Sequence, residues 1–163
     1  MCSGVDQNGI SELECLVKLD CSDNYKLHNV NHLKKTLEIL FCNNESGIDQ
    51  KGISELEHIE ILGCTSNEKI NNVNHLKSTL VSLFCGGYSC GVDQKGISEL
   101  THISKLHYDN NYKVQGLDEV IKKNTSESIS EPTHIKELYC DYDLEIQYLN
   151  KIIQNNTYKF RLE

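Results

Sequence analysis

The chain contains no tryptophan and no alanine, one proline (Pro132), one arginine (Arg161) and a single methionine at its start. Alanine, proline and arginine codons are GC-rich, whereas the abundant Lys, Asn and Ile have AT-rich codons, so an AT-rich genome accounts for this bias. No run of 18 apolar residues occurs, which excludes a helical membrane span. The opening MCSGVDQNG lacks the apolar core of a signal peptide, so a cytoplasmic, reducing location is expected. Basic residues are in deficit, 16 Lys and Arg against 24 Asp and Glu, giving a net charge of −8. Phosphate-backbone binding needs a basic surface, so nucleic acid is not an expected partner. No G-x-S-x-G, H-E-x-x-H, phosphate-binding loop or dinucleotide fingerprint is present. No catalytic residue, metal ligand or cofactor is therefore assigned.

What the chain does have is internal repetition. GISEL occurs at Gly9–Leu13, Gly52–Leu56 and Gly96–Leu100, 43 and 44 residues apart. NVNHLK occurs at Asn29–Lys34 and Asn72–Lys77, again 43 apart. Each long unit holds two copies of a shorter frame, L-x-x-L-x-C-x-x-N. The frames begin at Leu16, Leu37, Ile59, Leu80, Ile103 and Ile135, in steps of 21, 22, 21, 23 and 32 residues. Each offers a short strand with apolar residues two apart on one side. Segments such as Val30–Thr36 carry apolar residues about three apart and suit a helical turn crossing to the next parallel strand. One such unit cannot bury its own apolar face, so stacking must build the core. Asn24, Asn67 and Asn111 are expected to bond backbone groups inside the turn after each strand, with Glu45 and Tyr88 at that position in the alternate units. Gly9, Gly52 and Gly96 are expected to mark tight, positive-φ entries to the crossovers.

Over roughly residues 9–149 these frames resemble leucine-rich repeats of the cysteine-containing subtype. Gly47–Ile53 and Gly91–Ile97 match that subtype's I-T-D-x-G-L tail, while the turn position mostly carries Asn instead of Cys. The NVNHL and GIDQ-GI segments are similar to repeat proteins of amoeba-infecting giant DNA viruses. The resemblance implies an α/β solenoid of about six rungs, with a parallel sheet on its concave face and short helices or turns on the convex one. It spans 1–149, with an incomplete first rung and an irregular insertion near 117–132, where a short helix and a polar loop precede Pro132. A C-terminal cap at 150–163 is expected to close the array.

Five of the eight cysteines, Cys21, Cys42, Cys64, Cys85 and Cys140, share one frame position, an inward strand site where a small soft hydrophobe fits. A ladder of free buried thiols is the structural reading; a metal-binding or redox role for Cys and His is its alternative. Cys2 and Cys90 precede turns and are expected to be exposed. His32 and His75 recur inside NVNHLK, and His58, His102 and His134 stand just before a frame, so all five read as packing or turn residues. Lys34, Lys35 and Lys77 read as a solvated face.

Between the inward positions, one residue per frame points the other way: Asp20, Phe41, Gly63, Phe84, His107 and Tyr139. Two residues earlier the column reads Lys18, Ile39, Ile61, Ser82, Lys105 and Glu137. Exposed aromatic and aliphatic side chains on such a face are the usual anchors of a protein interface. The expected partner-binding residues are Phe41, Phe84, Ile39, Ile61, Asp20, Lys18, His107, Lys105 and Tyr139. Simple duplication of a 43-residue unit also accounts for the recurrence of Phe41 and Phe84. The resemblance implies a non-catalytic protein–protein interaction module, host-directed in a viral setting. An alternative it raises is the substrate-recognition part of an F-box-type ubiquitin-ligase adaptor within a longer parent protein.

Overall fold

A computed structural model of the chain describes residues 5–115 and the backbone of 137–139. Five three-residue strands, β1 (Lys18–Asp20), β2 (Ile39–Phe41), β3 (Ile61–Gly63), β4 (Ser82–Phe84) and β5 (Lys105–His107), lie in one all-parallel sheet in chain order. A sixth, β6 (Glu137–Tyr139), pairs with β5 in the same sense. The registers align Lys18, Ile39, Ile61, Ser82, Lys105 and Glu137 in one column. Asp20, Phe41, Gly63, Phe84, His107 and Tyr139 form another. The frame read from the sequence is thus the register of the sheet. Expectations for the insertion near 117–132, for Cys2, His134 and Cys140, and for the cap at 150–163 fall outside the described residues.

The crossovers are short. They pass through 3-10 turns at Asn31–Leu33, Lys51–Ile53, Asn74–Leu76 and Lys95–Ile97. The one α-helix among the described residues is α1 (Gln7–Ser11). Between the sheet and these turns runs a single apolar core. Leu40, Leu62, Leu83 and Leu106 enter it from the strands, Val30, Val73, Ile53 and Ile97 from the crossovers, all with no exposed surface.

Two residues beyond each core Cys, or beyond Tyr108 in its place, the backbone turns left-handed: Asp23 (φ 59°), Asn44 (56°), Ser66 (56°), Gly87 (89°) and Asn110 (58°). Asp, Asn and Gly are the residues that tolerate this region best, so the turn chemistry recurs although the residue does not. The following Asn then closes the turn. Asn67 Oδ1 accepts from Lys69 N–H (2.9 Å), and its Nδ2 donates to Cys42 O (2.8 Å) and Ile48 O (3.1 Å) of the preceding unit. Asn111 repeats the set with Lys113 N, Cys85 O and Val92 O. Asn24 accepts from Lys26 N–H and donates to Val5 O. In the alternate units the turn is longer, and the buried residues at this place are Ser46 and Cys90, not Glu45 and Tyr88. Gly47 N donates to Asn24 O and Gly91 N to Asn67 O, which fixes that equivalence.

The repeated motifs turn out to be stitches between neighbouring units. Asp49 and Asp93 accept from Gly52 N (2.8 Å) and Gly96 N (2.7 Å), capping the 3-10 turns. Gln50 Nε2 donates to Asn72 O while its Oε1 accepts from Asn71 and Asn72 N–H. Gln7 does the same with Asn29 O and the amides of His28 and Asn29. Asn31 and Asn74 each bridge a lysine carbonyl and a glutamate amide in the next unit. Lys34 and Lys77, expected to be simply solvated, pair with Glu55 and Glu99 at 2.9 Å, on an exposed surface where such pairs are screened. Gly52 and Gly96 are not at positive φ, contrary to expectation. They are required because a Cβ there would run into the carbonyl oxygens of His28 and Asn71, respectively. Gly9, by contrast, has room for a side chain.

The repeated histidines belong to the same network. His32 Nε2 lies 3.0 Å from Ile10 O and His75 Nε2 3.1 Å from Ile53 O. Burial lowers the pKa of His75, only partly offset by its bond to Ile53 O. A folded-state pKa below the unfolded value means that neutral His75 contributes stability above about pH 6.5. That contribution is lost as pH falls through the folded pKa. His75→Gln keeps an N–H donor but cannot protonate. Thermal melts at about pH 7.5 and pH 5 should therefore show a smaller drop for His75→Gln than for the parent chain. An equal or larger drop in the variant would show that His75 does not titrate on folding.

Candidate partner-binding face

The outward face of the sheet brings most of the expected binding residues together. Phe41 and Phe84 have ring centroids 6.2 Å apart at 48°, and Phe84 stacks on His107 at 4.4 Å and 23°. They meet because Gly63 stands between them in the register: a Cβ at Gly63 would strike the Phe41 ring. Beside this row, Ile39 and Ile61 face each other on β2 and β3. All of these side chains except Gly63, which is buried, are half-buried, and none joins the core. Ser82, in the same column as the isoleucines, is buried at 6% exposure. Lys105 is half-buried at the β5 end, and Lys18 and Asp20 are exposed at the β1 end. Tyr139 takes its place in the register through the β6 backbone.

The next column is polar and bonded across strands. Ser22 Oγ accepts from Asn43 N and Nδ2, and Asn43 Oδ1 accepts from Thr65 N (2.9 Å). An apolar strip therefore runs beside a hydrogen-bonded polar one. Two open depressions of about 320 Å³ and 440 Å³ are lined, the first by Glu38, Glu60, His58 and His102, the second by Tyr25, Glu45, Glu68 and Lys69. Neither includes the aromatic row.

Sequence reasoning missed three exposed tyrosines. Tyr25, Tyr88 and Tyr112 are 62%, 71% and 49% exposed, and the Tyr88 and Tyr112 rings are 5.6 Å apart. Tyr25 and Tyr112 each follow the turn asparagine, so carrying the frame one residue further would have aligned them.

The cysteines divide as the frame implies, with one correction. Cys21, Cys42, Cys64 and Cys85 are buried free thiols, and burial pushes Cys21 up to about 11 and Cys42 and Cys85 well above the usual thiol range. Cys90, expected to be exposed, is fully buried, because it takes the core-facing turn position that Ser46 holds one long unit earlier. Its Sγ lies 3.5 Å from Cys64 O. The interaction between the two thiols, with burial, pushes the Cys64 pKa well above the usual thiol range, and the same interaction lowers that of Cys90. Cys15 is exposed. Among the described residues no group of three or more His, Cys, Asp or Glu is placed to hold a metal ion, and no helix is long and apolar enough to cross a membrane. No protein-family model, curated protein or solved structure matches the chain.

Proposed function

We propose that this chain is a non-catalytic protein-binding module, a leucine-rich-repeat solenoid that receives a protein partner on its concave sheet face. The observation that carries the reading is a division of labour between residues. The recurring Asp, Asn, Gln, His and Gly have structural work, as inter-unit hydrogen bonds, caps or close backbone contacts. The face residues vary from unit to unit, Lys18, Ile39, Ile61, Ser82 and Lys105 in one column, and no packing requirement of the repeat explains that variation. At its centre, Phe41, Phe84 and His107 with Ile39 and Ile61 form the kind of contiguous aromatic and aliphatic patch that anchors protein interfaces. A net charge of −8 fits a protein partner better than a nucleic acid. A reducing, cytoplasmic setting accords with this reading, since buried cysteines fill core positions as free thiols.

Gly63 offers a direct test. Gly63→Ala adds one methyl under the Phe41 ring, and the atoms it meets belong to a movable side chain. The fold should survive with a loss of about 1–3 kcal/mol. Partner capture from cell extract should fall, because Phe41 can no longer lie against Phe84. Equal recovery of the same bound proteins by the parent and Gly63→Ala would remove the aromatic row from the binding surface.

A further inference from the structure

We propose that Cys64 and Cys90 are a redox-responsive pair, which a peroxide closes to a disulfide that locks two neighbouring units together. Each ladder cysteine described meets the turn residue of the following unit. Cys42 meets Asn67, whose Nδ2 donates to Cys42 O (2.8 Å), and Cys85 meets Asn111 in the same way (2.7 Å). Cys21 meets Ser46, with Sγ 3.8 Å from the Ser46 Oγ. Cys64 meets Cys90, so among the described residues it is the ladder cysteine whose turn partner is a second thiol. The repeat fixes this geometry independently. Gly47 N donates to Asn24 O where Gly91 N donates to Asn67 O. Lys69 Nζ donates to Ser46 O where Lys113 Nζ donates to Cys90 O, both at 2.8 Å. Cys64 and Cys90 thus hold the places of Cys21 and Ser46 one long unit on. A serine there can only touch its cysteine, whereas a cysteine can bond to it.

The two thiols divide the chemistry. Cys90 is lowered first by Cys64 and then by the Val92 backbone and the Lys113 ammonium, so it is the thiolate that attacks. Cys64, pushed up by the same contact and by burial, keeps its proton and resolves. The Cys90 thiolate takes one peroxide oxygen as the O–O bond breaks, leaving a sulfenic acid, and the other oxygen departs with a proton as water. Cys64 sulfur then displaces the sulfenic oxygen, which leaves as a second water carrying the Cys64 proton. Two thiols and one hydrogen peroxide become one disulfide and two waters, with the sulfurs drawn in to about 2.0 Å. Both side chains are buried, but Cys90 stands in a turn, directly after exposed Tyr88 and Ser89. Local opening of that turn admits so small an oxidant. The inference does not depend on what binds the aromatic row.

The test treats the reduced full chain with hydrogen peroxide, then maps its cysteines by denaturing alkylation, proteolysis and mass spectrometry. A peptide linking Cys64 to Cys90 should appear, with matching loss of both free thiols, and dithiothreitol should return them. The oxidised chain should need more urea to unfold than the reduced one, because the bond restricts the unfolded chain. Cys90→Ser repeats the contact that Cys21 already makes with Ser46, so by circular dichroism it should fold as the parent does. It should form no link from Cys64 and show no rise in urea midpoint on oxidation. Ser46→Cys should gain a second link, to Cys21. Peroxide treatment that leaves Cys64 and Cys90 unlinked in the folded parent, or joins Cys64 to Cys42 or Cys85 instead, would overturn the proposal. So would a link that forms as fast in urea as in the folded chain, or one that leaves the urea midpoint unchanged. Should Cys90→Ser fail to fold, the map of the parent and the gain in Ser46→Cys decide between these outcomes.

Discussion

Asn67→Ala should cost about 3–4 kcal/mol, although it removes no apolar contact and no charge. The side chain has no exposed surface, and it serves three backbone groups: Cys42 O, Ile48 O and Lys69 N–H. Truncation leaves all three without that partner in a place water does not reach, and each orphaned buried group costs about 1–3 kcal/mol before the surroundings relax. Asn67→Asp is the sharper variant. It keeps the shape and the acceptor for Lys69 N–H but turns a carboxylate oxygen toward two carbonyls, so it should destabilise at least as much as Ala. Asn24→Ala should cost less, about 2 kcal/mol, because Asn24 serves two groups, Val5 O and Lys26 N–H, instead of three. Urea denaturation of the three variants checks the ordering. Equal losses at positions 24 and 67 would mean that the link to the preceding unit contributes little and the local turn contributes most.

The strand frame was legible in the sequence because a sheet register and an apolar repeat impose the same period. Counting L-x-x-L-x-C placed every residue of both outward columns where the register now has it. Beyond the strand the count drifts, since turn lengths differ by one or two residues. Asn67 lies three residues past Cys64, whereas Ser46 lies four past Cys42 and Cys90 five past Cys85. A fixed offset therefore assigned the turn position to Glu45 and Tyr88 and left Cys90 looking exposed. The left-handed column escaped notice for another reason: Asp23, Asn44, Ser66, Gly87 and Asn110 share a backbone conformation but no residue type. Gly9, Gly52 and Gly96 were expected at positive φ, and none of them is. What decides Gly52 and Gly96 is the approach of the His28 and Asn71 carbonyls, contacts between residues 24 and 25 positions apart along the chain, which local sequence does not display.

The face itself was also legible, but its internal packing was not. Phe41 and Phe84 were expected to project freely, so that replacing both would change stability by no more than about 0.5 kcal/mol. Their rings instead lean on each other across Gly63, and Phe84 stacks on His107. The double variant Phe41→Ser with Phe84→Ser should therefore cost more than a typical surface change, about 1–2 kcal/mol, because aromatic pairing adds about 0.5–1.5 kcal/mol to area burial. Leu40→Ala or Leu83→Ala should each cost about 2–5 kcal/mol, since both side chains have no exposed surface and leave cavities between units. The two kinds of variant separate stability from recognition. Leu83→Ala, where still folded, should capture partner with parental affinity, whereas the phenylalanine variant should keep its fold and lose capture. Denaturant melts paired with a binding assay on the same preparations make the comparison. If the phenylalanine variant unfolds as readily as Leu83→Ala, the aromatic row is core and not interface. If it folds and binds as before, recognition lies elsewhere, and the exposed edge carrying Tyr88 and Tyr112 is the surface to alter next.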